Sequence, residues 1–532
     1  MARSLSPLSV PYRVFQRGSG VLVALAFALV GGFDLPGVGP AGPLVVAALG
    51  LVAAGVLVGY EVAYVRRFSY ELTGDSLDIE SGVFSRRSRE IPLRRIQNVD
   101  ISRNVVQRVL GIATASFETA GGGETEAELR FVAFEEAKRL QRELGRLKRG
   151  EPEPGTEESG AGGPETTELF ALDRSELTLL GALSVDLRVP GILFVAVSTL
   201  GSSVVAGYLS ALPSVAFAAV AAVALVGIAL ASWIVGAVAS IVEYYDFRLV
   251  RAGDELQYER GLLQRYDGSI PFDKIQTLTI RDNPLKRRFG YATLYIETAG
   301  YAGGSDGRSR GSEAAIPIAE RDRILDLVEA LEPVGDVDFA RPPKRARRRY
   351  IVRYLLVVAV LAGLLYGART LFSLPVPWWP PLLLAPLAVW FARATYRHRG
   401  HWLGDAHVVT RNGVLRRETK VVPYYRIQTV IDSRNVFQRR LDLATVTVDT
   451  AGSLSLGGQD AAAVDVSGAR ADELRTELEA RLSRAVDAYR AGRAGIGFED
   501  ENASDPPGDA DDAEEAPGGN ERPSEDGTDG DP

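Results

Sequence analysis

The chain has 532 residues, a net charge of −8, no Cys and three His. This length favours several domains, and the lack of Cys excludes disulfides, thiol chemistry and Cys-ligated metal sites. The charge is uneven, because 14 acidic residues and one Arg lie from Glu499 onward, which leaves residues 1–498 with a net charge of +5. A basic body with an acidic tail suggests a membrane surface or a nucleic acid as partner.

Six apolar segments occur along the chain, in pairs. They are 18–33 with 41–60, 189–209 with 213–242, and 354–372 with 378–391. A helix needs about 20 mainly apolar residues to cross a bilayer, so the pattern predicts six transmembrane helices arranged as three hairpins. Buried core helices are the alternative, and it is strongest for the short first and sixth segments.

Basic residues flank the pairs on their outer sides, as at Arg66-Arg67 and Arg347-Arg348-Arg349, whereas the links within pairs hold almost none. Because Lys and Arg are enriched in cytoplasmic flanks, we expect a multi-pass protein of the plasma membrane whose hairpins enter from the cytoplasm. A second apolar segment follows the first without a convincing cleavage site, so a cleaved signal peptide is not expected.

One pattern follows each hairpin. The three copies read Ile91-Pro92-Leu93-Arg94-Arg95-Ile96-Gln97, Ile270-Pro271-Phe272-Asp273-Lys274-Ile275-Gln276 and Val422-Pro423-Tyr424-Tyr425-Arg426-Ile427-Gln428. In each copy an Asn lies 12 residues after the Pro, and an Ala-Gly pair ends 29 residues after it. Equal offsets in three places predict three copies of one folded unit.

Within a copy, alternating polar and apolar residues predict β-hairpins, with turns at Gly74-Asp75, Gly253-Asp254 and Asn412-Gly413. The Ile-Pro element is expected to begin a strand, since Pro lacks an N–H. The shared Asn is expected to cap a short helix that ends at Gly111 or Gly290, whereas Asp442 predicts a different turn in copy three. An amphipathic helix closes each copy, which gives an antiparallel sheet with a C-terminal helix.

This order of hairpin and unit, with Ile-Pro-x-x-x-Ile-Gln followed by Arg-Asn-x-x-Gln-Arg, resembles the bacterial-type pleckstrin-homology (PH) domain in its membrane-flanked, YdbT-like form. The resemblance covers about 68–147, 245–331 and 406–482, and copy two departs from it at Asp282-Asn283-Pro284-Leu285-Lys286-Arg287. It implies a seven-strand sheet pair capped by a helix, a membrane location and no established catalytic activity. No binding residue of the family is carried over.

The predicted order of domains follows from these patterns. Transmembrane hairpins occupy 1–67, 169–244 and 334–399, PH-like domains occupy 68–149, 245–333 and 400–490, a linker occupies 150–168, and an acidic disordered tail occupies 491–532. The tail is dense in acid and poor in apolar residues, so it cannot bury enough surface to fold.

Basic residues beside the repeated pattern are the candidate contacts for anionic lipid headgroups or a partner protein. They are Arg86, Arg87, Arg89, Arg94 and Arg95 in copy one, Arg260, Arg265 and Lys274 in copy two, and Arg416, Arg417, Lys420 and Arg426 in copy three. Arg presents a planar fork that matches phosphate, and each basic residue near anionic lipid contributes about 1 kcal/mol. A generic positive-inside surface would carry the same residues.

The remaining polar patterns do not point to chemistry. The shared Gln is expected to bond the backbone near the Pro, and His398, His401 and His407 lack a second group of ligands. No phosphate-binding loop or nucleophile motif is present in a useful context, so we expect no metal, cofactor or nucleic acid. The favoured function is a membrane scaffold or sensor that binds headgroups or a protein partner. An accessory subunit of a transport or export system is the alternative, and an enzyme comes third.

Overall fold

A computed structural model describes residues 3–14, 16–18, 20, 42–119, 127–148, 166–183, 214–298, 312–371, 377–451 and 460–501. Most of the first apolar segment, all of the third, the linker up to 165 and the tail from 502 lie outside these residues.

Eleven helices are described after a short helical stretch that begins at Ser9. They are α1 (Gly42–Arg67), α2 (Val105–Val109), α3 (Phe134–Lys148), α4 (Arg174–Leu183), α5 (Ser214–Tyr244), α6 (Pro284–Phe289), α7 (Arg321–Leu331), α8 (Lys344–Leu371), α9 (Ala385–Arg397), α10 (Val436–Arg440) and α11 (Gly468–Glu501). α11 continues past residue 490, where the last domain was predicted to end.

Three of these helices, α1, α5 and α8, are long and apolar enough to cross a membrane, over Ala48–Arg67, Val226–Tyr244 and Lys344–Leu371. The described residues therefore provide three candidate spans where the sequence predicts six. The sixth predicted segment forms a 3-10 helix over Pro380–Leu384 followed by α9. It packs along α8, with the rings of Phe391 and Tyr354 5.3 Å apart.

Twenty strands are described. They are β1 (Arg3–Ser4), β2 (Ser69–Leu72), β3 (Ser76–Ser81), β4 (Arg87–Pro92), β5 (Ile96–Asn104), β6 (Ile112–Thr119), β7 (Ala127–Ala133), β8 (Thr166–Ala171), β9 (Arg248–Ala252), β10 (Glu255–Arg260), β11 (Gln264–Pro271), β12 (Ile275–Asp282), β13 (Tyr291–Thr298), β14 (Ser312–Glu320), β15 (Gly400–Leu403), β16 (His407–Asn412), β17 (Arg417–Pro423), β18 (Ile427–Ser433), β19 (Leu443–Thr450) and β20 (Ala461–Ser467).

The strands form three units of one design. Unit one contains β1–β7, unit two β8–β14 and unit three β15–β20, and a helix (α3, α7 or α11) closes each core. Units one and two have the seven strands that the resemblance implies. In unit three an isolated bridge between Ala340 and His401 takes the place of the seventh.

In units one and two the first strand precedes the membrane helices that lie within that unit. β1 pairs with β2 across the whole first hairpin, and β8 pairs with β9 across the second. The bridge between Ala340 and His401 spans the third in the same way. Each predicted hairpin is thus an insertion between the first two strands of a unit, which the sequence patterns did not indicate.

The sheets run from one unit into the next. β5 of unit one pairs with β11 of unit two, which makes a seven-stranded sheet, and β12 of unit two pairs with β17 of unit three, which makes a six-stranded sheet. The two junctions have the same register. Arg103 of β5 lies opposite Arg265 of β11, and Asp282 of β12 lies opposite Arg417 of β17. In both pairs the first residue lies 11 after the Pro of its own unit, and the second lies six before the Pro of the next unit.

Three local predictions are wrong. The Pro of each repeat ends a strand, as Pro92 ends β4, and a 3-10 turn follows it before the next strand. Asn412-Gly413 joins β16 to β17, so it is not the counterpart of Gly74-Asp75. Asp442 has a φ of 49° and takes the same left-handed turn as Gly111, at 64°, because Asp tolerates this conformation better than most residues.

The Asn caps are confirmed. The side chains of Asn104, Asn283 and Asn435 each accept a hydrogen bond from the backbone N–H three residues later, at 2.8 to 2.9 Å. The predicted role of the Gln is seen in copy two, where Gln276 donates to the backbone oxygen of Lys274 at 3.3 Å.

Candidate functional site: the border between the units and the membrane helices

A tight apolar turn recurs in every unit before the strand that ends at the repeated Pro. It contains Gly82-Val83-Phe84, Gly261-Leu262-Leu263 or Gly413-Val414-Leu415. Phe84, Leu263 and Leu415 are 93%, 57% and 53% exposed. Because the same position is apolar and exposed in all three units, these turns are a candidate contact surface.

Only Gly fits the first position of this turn. The three Gly have φ of 117°, 107° and 93°, and a Cβ there would lie 1.8 to 1.9 Å from the backbone oxygen three residues later. An L side chain is strained at such φ and has no room here. The turn therefore holds its apolar tip in one orientation.

The turns of units one and two touch the ends of candidate spans. The ring of Phe84 lies 6.2 Å from that of Tyr60 in α1, and Arg67 donates to the backbone oxygen of Val83 at 2.7 Å. In unit two the backbone N–H of Leu262 donates to the oxygen of Val242 in α5, at 2.9 Å. These tips therefore lie at the ends of two candidate spans.

In unit three, Arg287 donates to the backbone oxygen of Val414 in the turn at 2.5 Å. Burial, together with the charges of Arg287 and Arg417, lowers the pKa of His398, the residue after α9, to about 4.

The Asn-capped helices lie beside the same turns. Arg108 of α2 donates to the backbone oxygen of Leu262 at 2.6 Å, as Arg287 of α6 does to Val414. The equivalent residues Val106, Leu285 and Phe437 on these helices are exposed. Each junction between units therefore places two apolar elements on one border, next to Arg side chains.

The candidate basic residues of unit one are exposed. Arg86, Arg87 and Arg89 lie on or before β4, and Arg94 and Arg95 lie in the 3-10 turn after it. β4 is an outer strand of its sheet, so the first three form a basic edge. Arg86 and Arg87 are two and three residues from Phe84.

The basic residues of units two and three are paired within the protein. Arg260 lies over Tyr244 and 3.5 Å from Glu243, Arg265 binds Glu259 at 2.9 Å, Lys274 binds Asp273 at 3.1 Å, Arg416 binds Glu418 at 2.9 Å, Arg417 binds Asp282 at 2.5 Å, Lys420 binds Glu297 at 2.8 Å, and Arg426 lies over Tyr425. Arg417 and Lys420 join unit three to unit two, so those two serve a junction.

Each unit also holds the chain just before its hairpin, and two equivalent positions make the contact. Asn104 donates to the hydroxyl of Tyr12 at 2.6 Å, and Asn283 donates to the backbone oxygen of Leu183 at 2.8 Å. The residue three before the closing helix also takes part, since Phe131 lies 5.2 Å from the ring of Tyr12 and Ile318 packs against α4.

In unit three Asp465 lies three residues before the closing helix α11, as Phe131 and Ile318 do before α3 and α7, and it is 1% exposed. It accepts hydrogen bonds from the Tyr350 hydroxyl at 2.7 Å, Gln438 at 2.8 Å and Arg399 at 3.2 Å, and it is ion-paired with Arg349. α8 and the end of the third hairpin are thus held to unit three by one carboxylate.

A buried ion pair and a cavity lie at the base of α1. Glu61 is fully buried and binds Arg13 at 2.5 Å and Arg17 at 2.6 Å. A cavity of about 250 Å³ adjoins these residues, and Arg130 also lines it. Because two Arg engage Glu61, this acid within a span acts as an anchor for the N-terminal stretch.

The three His do not converge on a metal site. His401 is buried and burial lowers its pKa to about 4, whereas His407 lies 2.8 Å from Glu332. Within the described ranges, no group of three or more His, Asp or Glu is placed to hold a metal ion.

Sequence patterns did not indicate the roles of the apolar turns, Asp465 or Glu61. The turns carried a signal, since Gly82, Gly261 and Gly413 all lie ten residues before the Pro. Asp465 and Glu61 carried none, because their roles depend on partners distant in sequence.

Comparison with known proteins agrees with this architecture. The family model for the bacterial PH domain matches residues 24–148, 193–333 and 349–482, which cover most of the chain and each include a hairpin region. The chain belongs to the bacterial PH domain family. It is 25% identical over 425 residues to the UPF0699 transmembrane protein YdbT of Bacillus subtilis (strain 168), covering 76% of this chain and 84% of that one. No solved structure matches it.

The family match and the transmembrane relative confirm the predicted resemblance, the repeated PH-like units and the association with a membrane.

Proposed function

We propose that this protein is a non-catalytic membrane scaffold whose three PH-like units lie against the inner leaflet and bind anionic headgroups. The apolar turn carries this proposal, because it recurs in all three units and contacts a candidate span in units one and two. An apolar tip gains free energy in the interface, and flanking Arg side chains add attraction to anionic lipid. Arg86 and Arg87 are placed best, because they follow Phe84 and are exposed.

Continuous sheets make the three units one rigid platform. β5 with β11 and β12 with β17 fix the spacing of the three turns, so the platform can meet the membrane at three points together. Linked contacts raise the overall affinity without any new interaction. A protein partner in the membrane would meet the same platform beside the hairpins.

The strand pairing supports six spans in three hairpins. β8 and β9 hydrogen-bond to each other, so the chain between them crosses the membrane an even number of times. α5 supplies one candidate crossing there, and the apolar segment 189–209 supplies the second in our proposal. The same argument applies between β1 and β2 and between Ala340 and His401.

Shared sheets also require the three units to lie on one side of the membrane. The excess of Arg at the flanks of the hairpins favours the cytoplasmic side, and the plasma membrane is the proposed location. The acidic tail and the candidate contacts that lie away from the turns have no separate role in this proposal.

A fluorescent label tests the turn. The chain has no Cys, so Phe84→Cys and, as a control, Asp75→Cys can each carry one environment-sensitive dye in the full-length protein in nanodiscs. Asp75 lies in the turn at the other end of β3, about 20 Å away for six residues at about 3.3 Å each. We expect spin-labelled lipid to quench the dye at position 84 several-fold more than the dye at 75.

Charge reversal then tests the headgroup contact. In nanodiscs with anionic lipid, the double variant Arg86→Glu with Arg87→Glu should reduce quenching at position 84 to its level in neutral lipid. Arg94→Glu with Arg95→Glu, at the far end of β4, is the matched control and should change it little. Equal quenching of the dyes at positions 84 and 75, or quenching at position 84 that does not change with lipid charge, would contradict the proposal.

A further inference from the structure

Two strands of the kind that pair at the junctions between units lie at the outer edges of their own sheets, one in unit three and one in unit one. β18 of unit three corresponds to β5 and β12, yet it is an outer strand of its sheet. β4 of unit one corresponds to β11 and β17, and it is an outer strand too. Ile431 of β18 is 40% exposed, whereas Thr279, at the same position in β12, is fully buried.

The repeat fixes how these two edges would pair. Thr279 of β12 lies opposite Lys420 of β17. Thr279 lies eight residues after the Pro of unit two, and Lys420 lies three residues before the Pro of unit three. The junction between β5 and β11 has the same register. Applied to the outer edges, that register places Val430 opposite Glu90, Ile431 opposite Arg89, Asp432 opposite Ser88, and Ser433 opposite Arg87. The strands are antiparallel at both internal junctions.

A hydrogen bond from an Arg side chain also recurs at both internal junctions. Arg108 donates to the backbone oxygen of Leu262, and Arg287 donates to that of Val414. Each Arg lies 16 residues after the Pro of its unit, and each acceptor lies nine residues before the Pro of the next unit. Arg439 is the third member of this series. Its side chain is exposed, and the guanidinium has no hydrogen bond or ion pair within the described residues. Its counterpart acceptor is the backbone oxygen of Val83, which receives Arg67 of its own chain.

Charges at the edges suit this pairing. Lys420 of β17 reaches across the junction to Glu297 at 2.8 Å. Arg89 holds the position of Lys420 in unit one, and Asp449 holds that of Glu297 in unit three. Charged side chains on an edge discourage indiscriminate pairing, yet β17 carries Arg417, Glu418 and Lys420 and pairs because its partner matches them.

We propose that β18 of one copy pairs with β4 of a second copy, so that the protein associates head to tail through a third junction of the internal kind. The interface joins two different surfaces, so it is heterologous and builds a row or a closed ring according to the rotation per copy. Since all units lie on one side of the membrane, the two edges are presented there together. This inference goes beyond headgroup binding and does not depend on it.

Single Cys variants test the pairing in a chain without native Cys. Full-length protein with Ile431→Cys and full-length protein with Arg89→Cys are made with different tags, co-expressed and oxidised in membranes. A disulfide-linked heterodimer is expected, because these positions are opposed in the proposed register. Ile431→Cys with Ser88→Cys is the matched control, since neighbouring side chains on a strand point to opposite faces, and we expect at least fivefold less cross-linking.

Arg439→Glu in the Ile431→Cys chain should reduce the heterodimer several-fold, while the thermal unfolding temperature of the variant in detergent stays close to that of the parent protein. Three results would overturn the inference: cross-linking of Ile431→Cys to itself in preference to Arg89→Cys, equal yields for positions 89 and 88, or heterodimer only after residues 502–532 are deleted. The last result would show that the acidic tail, rather than a second copy, covers the basic edge.

Discussion

At the scale of single residues, unit two differs from its neighbours at the residue 15 after the Pro. Gln107 and Gln438 occupy this position in units one and three, where each completes a capping box and donates to a Thr, at 3.2 and 2.9 Å. Lys286 occupies it in unit two and donates to Thr293 at 2.6 Å. Burial lowers the pKa of Lys286 to about 8, so its charge is costly there.

We predict that Lys286→Gln stabilises unit two at neutral pH by about 1–3 kcal/mol, at about 1.4 kcal/mol per unit of pKa. Gln removes the buried charge and keeps a donor for Thr293, as at Gln107 and Gln438. Thermal unfolding of both proteins in the same detergent at pH 7 measures the difference. Gln107→Lys in unit one is the reciprocal variant and should destabilise the protein.

The difference in stability between Lys286→Gln and the unchanged protein should depend on pH. The pKa of Lys286 is lower in the folded protein than its ordinary value of 10.5, so the penalty is complete below about pH 8 and declines to zero as the pH rises through 10.5. The advantage of Lys286→Gln should therefore shrink over that interval. An advantage that stays constant from pH 7 to 10.5 would contradict this explanation.

Sequence patterns predicted the residues whose roles are local. The caps at Asn104, Asn283 and Asn435 follow from chemistry within three residues of each Asn. Asp465 could not be predicted, because its partners Tyr350 and Arg399 are 115 and 66 residues away. Asp442 was misjudged because Asp can take a left-handed φ without being Gly.

At the scale of elements, the junction between β12 and β17 depends on one buried acid. Asp282 has a side chain that is 2% exposed, and it binds Arg417 at 2.5 Å, Arg287 at 2.7 Å and Arg321 at 3.4 Å. Three guanidinium groups therefore converge on one carboxylate. Hydrogen bonds satisfy the charges on both sides, so the cluster stabilises the junction only while it is complete.

We predict that Asp282→Asn destabilises the protein by about 2–4 kcal/mol, because it removes the buried counter-charge of three partly buried Arg side chains. Glu418→Gln is the control on the facing strand. Its side chain is 25% exposed and binds Arg281 and Arg416, so we expect a loss of about 1 kcal/mol or less. Hydrogen exchange of β12 and β17 should rise in Asp282→Asn and change little in the control.

The strands could be predicted as elements but their partners could not. Alternation identifies β17 as a strand, yet both faces of Arg417–Pro423 are largely buried, because the strand lies inside a sheet shared by two units. A pattern read within one unit contains no information about a neighbour that supplies the next strand. For the same reason the apolar turns looked like ordinary hairpin turns.

At the scale of the whole molecule, the units share sheets and cannot be regarded as independent domains. Cutting the chain between residues 333 and 334 removes β17 from the edge of β12, where Leu278 and Ile280 are buried. We predict that residues 1–333 expressed alone aggregate, and that co-expression with residues 334–532 restores a soluble complex in detergent that co-purifies through a tag on either piece.

The matched control carries Arg417→Glu in the second piece, which sets two acids against each other at Asp282 and should reduce co-purification at least fivefold. Residues 1–333 that remain monomeric alone would show that the units are separable, contrary to the shared sheets.

Because β8 is made about 75 residues before its partner β9, and the second hairpin lies between them, the order of synthesis matters. At about 5–20 residues per second the early strand waits several seconds for its partner, and in the topology proposed above it waits on the cytoplasmic side while the hairpin is inserted. If one helix of the hairpin failed to cross, the two strands would emerge in different compartments and the sheet could not close. In that topology, completion of each unit is therefore a check on correct insertion, because a chain with a misplaced helix would keep an unfinished sheet.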